Sequence, residues 1–328
     1  MLFRKIAIVL AALLLCAPSL PRLHAQEAAA AAGPKEKVII DSDIGDDIDD
    51  AFALALAVSS PRLQVLGVTT AWGDTDLRAR LATRFLVQTG HGDIPVAAGP
   101  RTHSTNTFTQ ERWAEAWPRP AQGYPSAIDF IRDQVRRYPG QITLIAIAPF
   151  SNLGALIHAD PAAFHQLRRV VLMGGSIRRG YGDLGYLPSH GPSAEYNVAM
   201  DVPASQALFT SGVPIFMMPL DSTQLKLDEV LRATLFSQDT RVTDALDSLY
   251  QEWTYSTNNP TPTLYDAMAV ASVIDPDLCP THPMHIVVDD KGFTRVAAGA
   301  PNANVCLSSD SDRFFHFYMH TVLEASGR

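Results

Sequence analysis

The sequence predicts an α/β fold: a mostly parallel open sheet flanked by helices, with a Rossmann-like core in a single domain. Short apolar runs alternate with longer segments of helical periodicity, which is the pattern of repeated βαβ units. After the N-terminal region no stretch rich in Pro, Gly or Ser divides the chain, and no internal repeat is present. Polar clusters follow three of the apolar runs, and ligands bind at the carboxyl ends of strands in open parallel sheets.

The first 25 residues read as a signal peptide. Arg4 and Lys5 form its positive region, residues 6–16 its apolar core, and "RLHAQ" offers cleavage after Ala25. The apolar run is too short for a membrane span. The bulky Leu15 before Cys16 disfavours lipoprotein processing. The mature chain is therefore expected to be exported, to a periplasm or to the medium, without membrane attachment. Residues 26–36 read as an Ala-rich flexible leader, and 37–328 as the folded domain.

Within that domain, strands are expected at "KVIID", "LQVLGVTT", "ITLIAIA", "RRVVLMGG" and "VPIFMMPLD". Helices are expected at "DLRARLATRFLVQTG" and "PSAIDFIRDQVRRY". Residues 101–125 and the stretch "GYGDLGYLPSHGPSAEYN" are irregular and read as loops. Apolar residues make up 47 % of the chain and charged ones 18 %, enough for a packed core. A formal net charge of −8 without a basic patch argues against a nucleic-acid partner. After cleavage two cysteines remain, Cys279 and Cys306. In an oxidising compartment they can pair, and a disulfide is the expectation over two buried thiols.

Six aspartates occupy ten positions between two apolar runs, in "DSDIGDDIDD" at residues 41–50. Crowded buried carboxylates protonate unless a cation sits among them. Oxygen ligands in this number suit calcium or magnesium better than zinc. Gly45 permits a sharp strand-to-helix turn. Capping of the following helix and solvated charge explain one or two aspartates, not six. An EF-hand loop fails, because its sixth and twelfth positions hold Asp46 and Phe52. An aspartyl-phosphate phosphatase lacks clear Lys and Ser/Thr partners at later strand ends. A non-catalytic binding protein that uses calcium structurally stays open on spacing alone.

The stretch "VIIDSDIGDDIDDAFALALA" resembles the N-terminal signature of the inosine–uridine nucleoside hydrolase family. Further matches follow in order: "LGVTTAWGD", "APFSNLGALI", "VVLMGG", "AEYNVAMDVPAS" and "YDAMAVA". They run from about residue 37 to 271, and six motifs in the right order are specific. The resemblance implies one bound Ca2+ and hydrolysis of the N-glycosidic bond of ribonucleosides. It also implies a homodimer or homotetramer.

Carried over by position, the resemblance makes Asp43 the general base and a calcium ligand, with Asp41 beside it. Two extra residues follow Gly45, and Ile44 replaces a common Pro. Anchoring on "DDA" makes Asp49 a ribose contact and Asp50 a calcium ligand, whereas anchoring on Gly45 brings in Asp46 and Asp47. The helix anchor is preferred, and Asp47 stays as an extra contact. Ile147 matches the position that gives a backbone carbonyl to calcium, and Asp266 the last calcium ligand. Met173, Glu195 and Asn197 match residues lining the ribose, and Asp74 stands where the family commonly has Asn. Asn152 reads as a local turn residue.

Where many members carry His before the final aspartate, this chain has Tyr265, a weaker proton donor at neutral pH. Candidates for contact with the base are aromatic: Trp113, Trp117, Trp253, Tyr255 and Tyr181. His103 and His190, in the two irregular loops, are the remaining candidate proton donors. Base preference is not fixed by these motifs.

Overall fold

The computed structural model describes residues 34–324; the expected signal peptide and all but the end of the leader lie outside the described residues. In chain order come β1 (Glu36–Ser42), β2 (Leu63–Thr70), β3 (Val96–Ala98), β4 (Ile142–Ile147), β5 (Arg169–Met173) and β6 (Ile215–Met218). The last four strands are β7 (Thr281–Met284), β8 (Ile286–Val288), β9 (Thr294–Val296) and β10 (Ala303–Cys306). The five expected strands are β1, β2, β4, β5 and β6. The two expected helices form at Thr75–Gln88 and Ala127–Arg137.

Eight strands make one sheet in the order β3-β2-β1-β4-β5-β6-β10-β7, parallel throughout except where β7 runs against β10. β8 and β9 form a separate antiparallel pair. The central strands are apolar on both faces, as a helix-covered parallel sheet requires. In β1, Val38 and Ile40 enter the core on one face while Ile39 enters the core on the other. The same alternation in β4 sends Ile145 and Ile147 one way and Leu144 and Ala146 the other.

The helix Asp49–Ser59, whose first two residues end the acidic run, is apolar all round from Ala51 to Val58 and buried at every position but Val58. It lies among the helices Ala267–Ile274, Arg241–Thr257 and Ser311–Glu324. Its alanines let these neighbours approach, which is how a helix can sit inside a core.

From β1 the chain moves outward to β2 and β3, then returns to place β4 on the other side of β1. This reversal opens a crevice at the carboxyl ends of β1 and β4. The acidic run leaves β1 there, and "APFSN" leaves β4.

At the far edge a disulfide joins Cys279 to Cys306, with the two Cα atoms 5.6 Å apart. It ties the end of a 3-10 turn to β10, so the expected pairing forms.

Candidate active site

A cleft of about 210 Å3 opens at this crevice. Asp43, Asp47, Asp49, Asp50 and Asp266 line it, together with Ile147, Met173, Glu195, Asn197 and Tyr265. Five segments separated in sequence by up to more than two hundred positions therefore supply one surface.

Asp49, Asp50 and Asp266 each present a carboxylate oxygen, and these oxygens lie within 4.8 Å of one another. None of the three is more than 5 % exposed. Capping does not account for them. The helix Asp49–Ser59 starts after Ile48 without a side-chain cap, and Asp266 holds the N-cap position of Ala267–Ile274 without making a cap bond. Burial, then repulsion from the neighbouring aspartates, holds all three well above the usual carboxylate range. A hard cation removes that penalty, and an all-oxygen buried donor set fits one.

Asp43 enters the same cleft from the turn after β1. Its carboxyl is pushed up to about 7, chiefly by burial, with Arg78 opposing the rise. Ser42 fixes the neighbour: its hydroxyl donates to Asp50 Oδ1 at 2.6 Å and accepts the Ile44 N–H at 3.1 Å. Asp41 is fully buried. Its Oδ1 accepts from Thr69 Oγ1 at 2.6 Å and from Asn152 Nδ2 at 2.7 Å. Its Oδ2 has no hydrogen-bond partner among the described residues. Burial raises Asp41 to about 6, and the two donors limit the rise. Asn152 therefore bridges two strand ends, also donating to Thr70 O at 3.1 Å, rather than stabilising its own turn alone. Gly99 makes room for it, since a Cβ there would lie 2.1 Å from Asn152 Oδ1.

Glu195 accepts the N–H groups of Gly175, Asn197 and Val198, and Asn197 donates to Met173 O at 3.1 Å. Both polar side chains are thus set in place by backbone. Tyr181 also lines the cleft and meets Tyr265 edge-on, with ring centroids 6.2 Å apart.

The two extra aspartates have distinct partners. Asp46 Oδ2 accepts from Arg78 Nη2 at 2.8 Å, while Asp47 accepts the Ile48 N–H at 2.7 Å and is hydrogen-bonded by Trp253. The "irregular" residues after 101 hold the turn. Thr109 Oγ1 donates to Asp46 O at 2.7 Å, and Gln110 Nε2 to Asp47 O at 2.8 Å.

Asp74 departs from expectation. It caps the helix Thr75–Gln88 by accepting the Leu77 N–H, pairs with Arg101, and does not line the cleft. Most of the aromatic candidates also lie elsewhere. Trp113 is buried under Arg84, Trp117 uses its carbonyl to accept from Arg80, and Trp253 is buried beside Asp47. Tyr255 is 81 % exposed, against Arg112. His103 and His190 are exposed and outside the lining. Sequence reasoning missed Asn106 and Tyr196, which line the cleft. Tyr196 sits inside a recognised motif, "AEYN", but Asn106 lies in a stretch without any periodic signal.

The pattern of the inosine–uridine preferring nucleoside hydrolase family matches residues 38–316. An uncharacterized Schizosaccharomyces pombe protein is 35 % identical over 200 residues, which span 57 % of this chain and 62 % of that protein. The non-specific ribonucleoside hydrolase RihC of Escherichia coli is 30 % identical over 290 residues, 84 % of this chain and 91 % of RihC. A solved plant nucleoside hydrolase superposes with a TM-score of 0.76 at 25 % identity, covering 88 % of this chain and 99 % of that one. With the motifs, the parallel sheet and the acidic cleft in agreement, the chain belongs to the inosine–uridine preferring nucleoside hydrolase family and is a hydrolase of N-glycosyl bonds.

Proposed function

We propose that the protein is a calcium-dependent ribonucleoside hydrolase that releases ribose and a free base, with Asp43 as general base. The observation that carries this reading is the buried convergence of Asp49, Asp50 and Asp266 beside Asp43, in one cleft with Glu195 and Asn197. Asp43, Asp50, Asp266 and the backbone carbonyl of Ile147 are the proposed calcium donors, a hard-oxygen set. Bound there, Ca2+ would supply Lewis acidity toward water and a template for the ribose hydroxyls.

The chain's own groups do the rest. Asp43 takes the proton of the water that attacks the anomeric carbon. Asp49 accepts from a ribose hydroxyl. Glu195 and Asn197, fixed by their backbone partners, orient the other sugar hydroxyls. The surrounding carboxylates offset the positive charge of an oxocarbenium-like ring. Tyr181 and Tyr265 give an aromatic wall against which a base can stack.

The test is release of reducing sugar from a panel of purine and pyrimidine nucleosides, with and without chelator. Release is expected to vanish on chelation and in Asp43→Ala. Unchanged release in Asp43→Ala overturns the mechanism. Nucleoside binding without any release marks a binding protein instead, and phosphate release from sugar phosphates marks a phosphatase.

Export is part of the same proposal. The disulfide supports it, since such bonds persist in oxidising compartments. Mass spectrometry of the mature chain is expected to find Gln26 at its N-terminus. A homodimer or homotetramer is the expected assembly, checked by light scattering.

A further inference from the structure

The helix Thr75–Gln88 carries an arginine that faces inward. Arg78 is 1 % exposed, and the acidic turn consumes its guanidinium. Nε donates to Trp72 O at 2.7 Å, and Nη1 donates to the backbone carbonyls of Asp43 and of Ile44, the latter at 3.2 Å. Nη2 donates to Asp46 Oδ2 at 2.8 Å. The ring of Phe108 covers the group, its centroid 5.4 Å from Cζ. The same ring lies on Gly45, where a Cβ would come within 2.2 Å of it.

Two features set this apart from a plain ion pair. A buried carboxylate needs a counter-charge, but it does not need that charge to span three carbonyls from two different strand ends. That task suits the rigid planar fork of arginine and not the single ammonium of lysine. In addition, Trp72 has φ +63°, a left-handed backbone that a bulky residue adopts at a cost. The Trp72 carbonyl is the one that Nε binds. The turn after β2 is thus held in a strained form that places its carbonyl opposite the turn after β1.

We propose that Arg78 is a positioning residue for the hydrolytic reaction. It clamps the Asp43 and Ile44 peptides to the end of β2 and so fixes the direction in which the Asp43 carboxylate enters the cleft. Asp46 holds the guanidinium in place, and so the two-residue extension after Gly45 serves the clamp. The inference rests on the nucleoside-hydrolase reading.

Four variants test it. Arg78→Lys keeps the charge but not the fork, and kcat is expected to fall about 100-fold, as for a small misplacement of a catalytic group, while KM changes much less. Asp46→Asn leaves the carbonyl bonds in place and is expected to lose at most about 5-fold, because the clamp itself survives. The double variant Arg78→Met with Asp46→Asn removes both charges. Its melting temperature is expected to recover relative to Arg78→Met, because Asp46 is no longer a carboxylate left without its partner, but its kcat stays low.

Recovery of kcat together with stability in the double variant would show that Arg78 only balances charge. A folded Arg78→Lys enzyme with wild-type kcat overturns the proposal equally. If the wild-type protein releases no sugar from any nucleoside, the nucleoside-hydrolase reading is what fails. The clamp is then judged on Ca2+ affinity by calorimetry and on hydrogen exchange at residues 43–46, and unchanged values in Arg78→Lys overturn it.

Discussion

Asn152 donates its side-chain amide to Asp41 at 2.7 Å, joining the helix Ser151–Ala159 that follows β4 to the end of β1. With Thr69 it supplies the donors that Asp41 Oδ1 has in a site without solvent access. Removing a donor from a buried carboxylate costs about 2 kcal/mol. In Asn152→Ala the Asp41 carboxyl is expected to rise further above about 6. The loss of stability is therefore expected to be larger at pH 7.5, where Asp41 must ionise in the folded state, than at pH 5, where it keeps its proton. Urea unfolding at both pH values measures this. Equal losses at the two values contradict the argument.

Removal of divalent cations is expected to reveal the repulsion in the acidic cluster. Asp41 at about 6 and Asp43 at about 7 lie above the unfolded value of 3.8, and Asp49, Asp50 and Asp266 are raised as well. The folded state therefore binds protons that the unfolded chain has released, so stability falls as pH rises from about 4 to about 7. In EDTA the melting temperature is expected to drop by roughly 5 °C or more over that window. Added Ca2+ is expected to restore it at pH 7.5 and to do little at pH 4.5. A melting temperature in EDTA that climbs across the window would refute this account.

The disulfide closes a loop of 27 residues. Loop-closure entropy puts its contribution at roughly 3 kcal/mol. It lies at the far edge of the sheet, and neither cysteine lines the cleft. Cys279→Ser with Cys306→Ser is expected to lower unfolding free energy by about that amount while kcat at 25 °C stays within about 2-fold of wild type. A selective loss of kcat with unchanged stability would place the bond in the site instead.

Much of the fold was legible because its central strands are fully buried and therefore read as apolar runs. β3, β7, β8, β9 and β10 were not, because these strands of three or four residues lack the longer apolar run that surrounds β6 and are shaped by their neighbours. The cleft acids were legible as motif positions: Asp43, Asp49, Asp50 and Asp266 meet, and Glu195 and Asn197 face them. Asp74 was misread, although an aspartate just before a helical run is a capping signal in its own right. The partners of the acidic turn were beyond reach. Arg78, Phe108, Thr109 and Gln110 act on a turn 32 to 65 positions away, through carbonyls and a ring face that no spacing rule records.

Tyr265 lines the cleft beside Asp266. It stands where many family members have His, and burial with the charges of Asp49 and Asp47 pushes its phenol to about 12. Such a group keeps its proton across the working range and is a poor general acid. Its edge-on contact with Tyr181 instead makes it part of the aromatic wall. Tyr265→Phe keeps that wall and is expected to cost less than about 10-fold in kcat, well below the loss for removing a general acid. Tyr265→His supplies a group that titrates near neutrality, and is expected to raise kcat on purine nucleosides and to add an alkaline limb to the pH–rate profile. A loss of about 100-fold or more in Tyr265→Phe would instead assign the proton to the phenol, whatever its unfavourable surroundings.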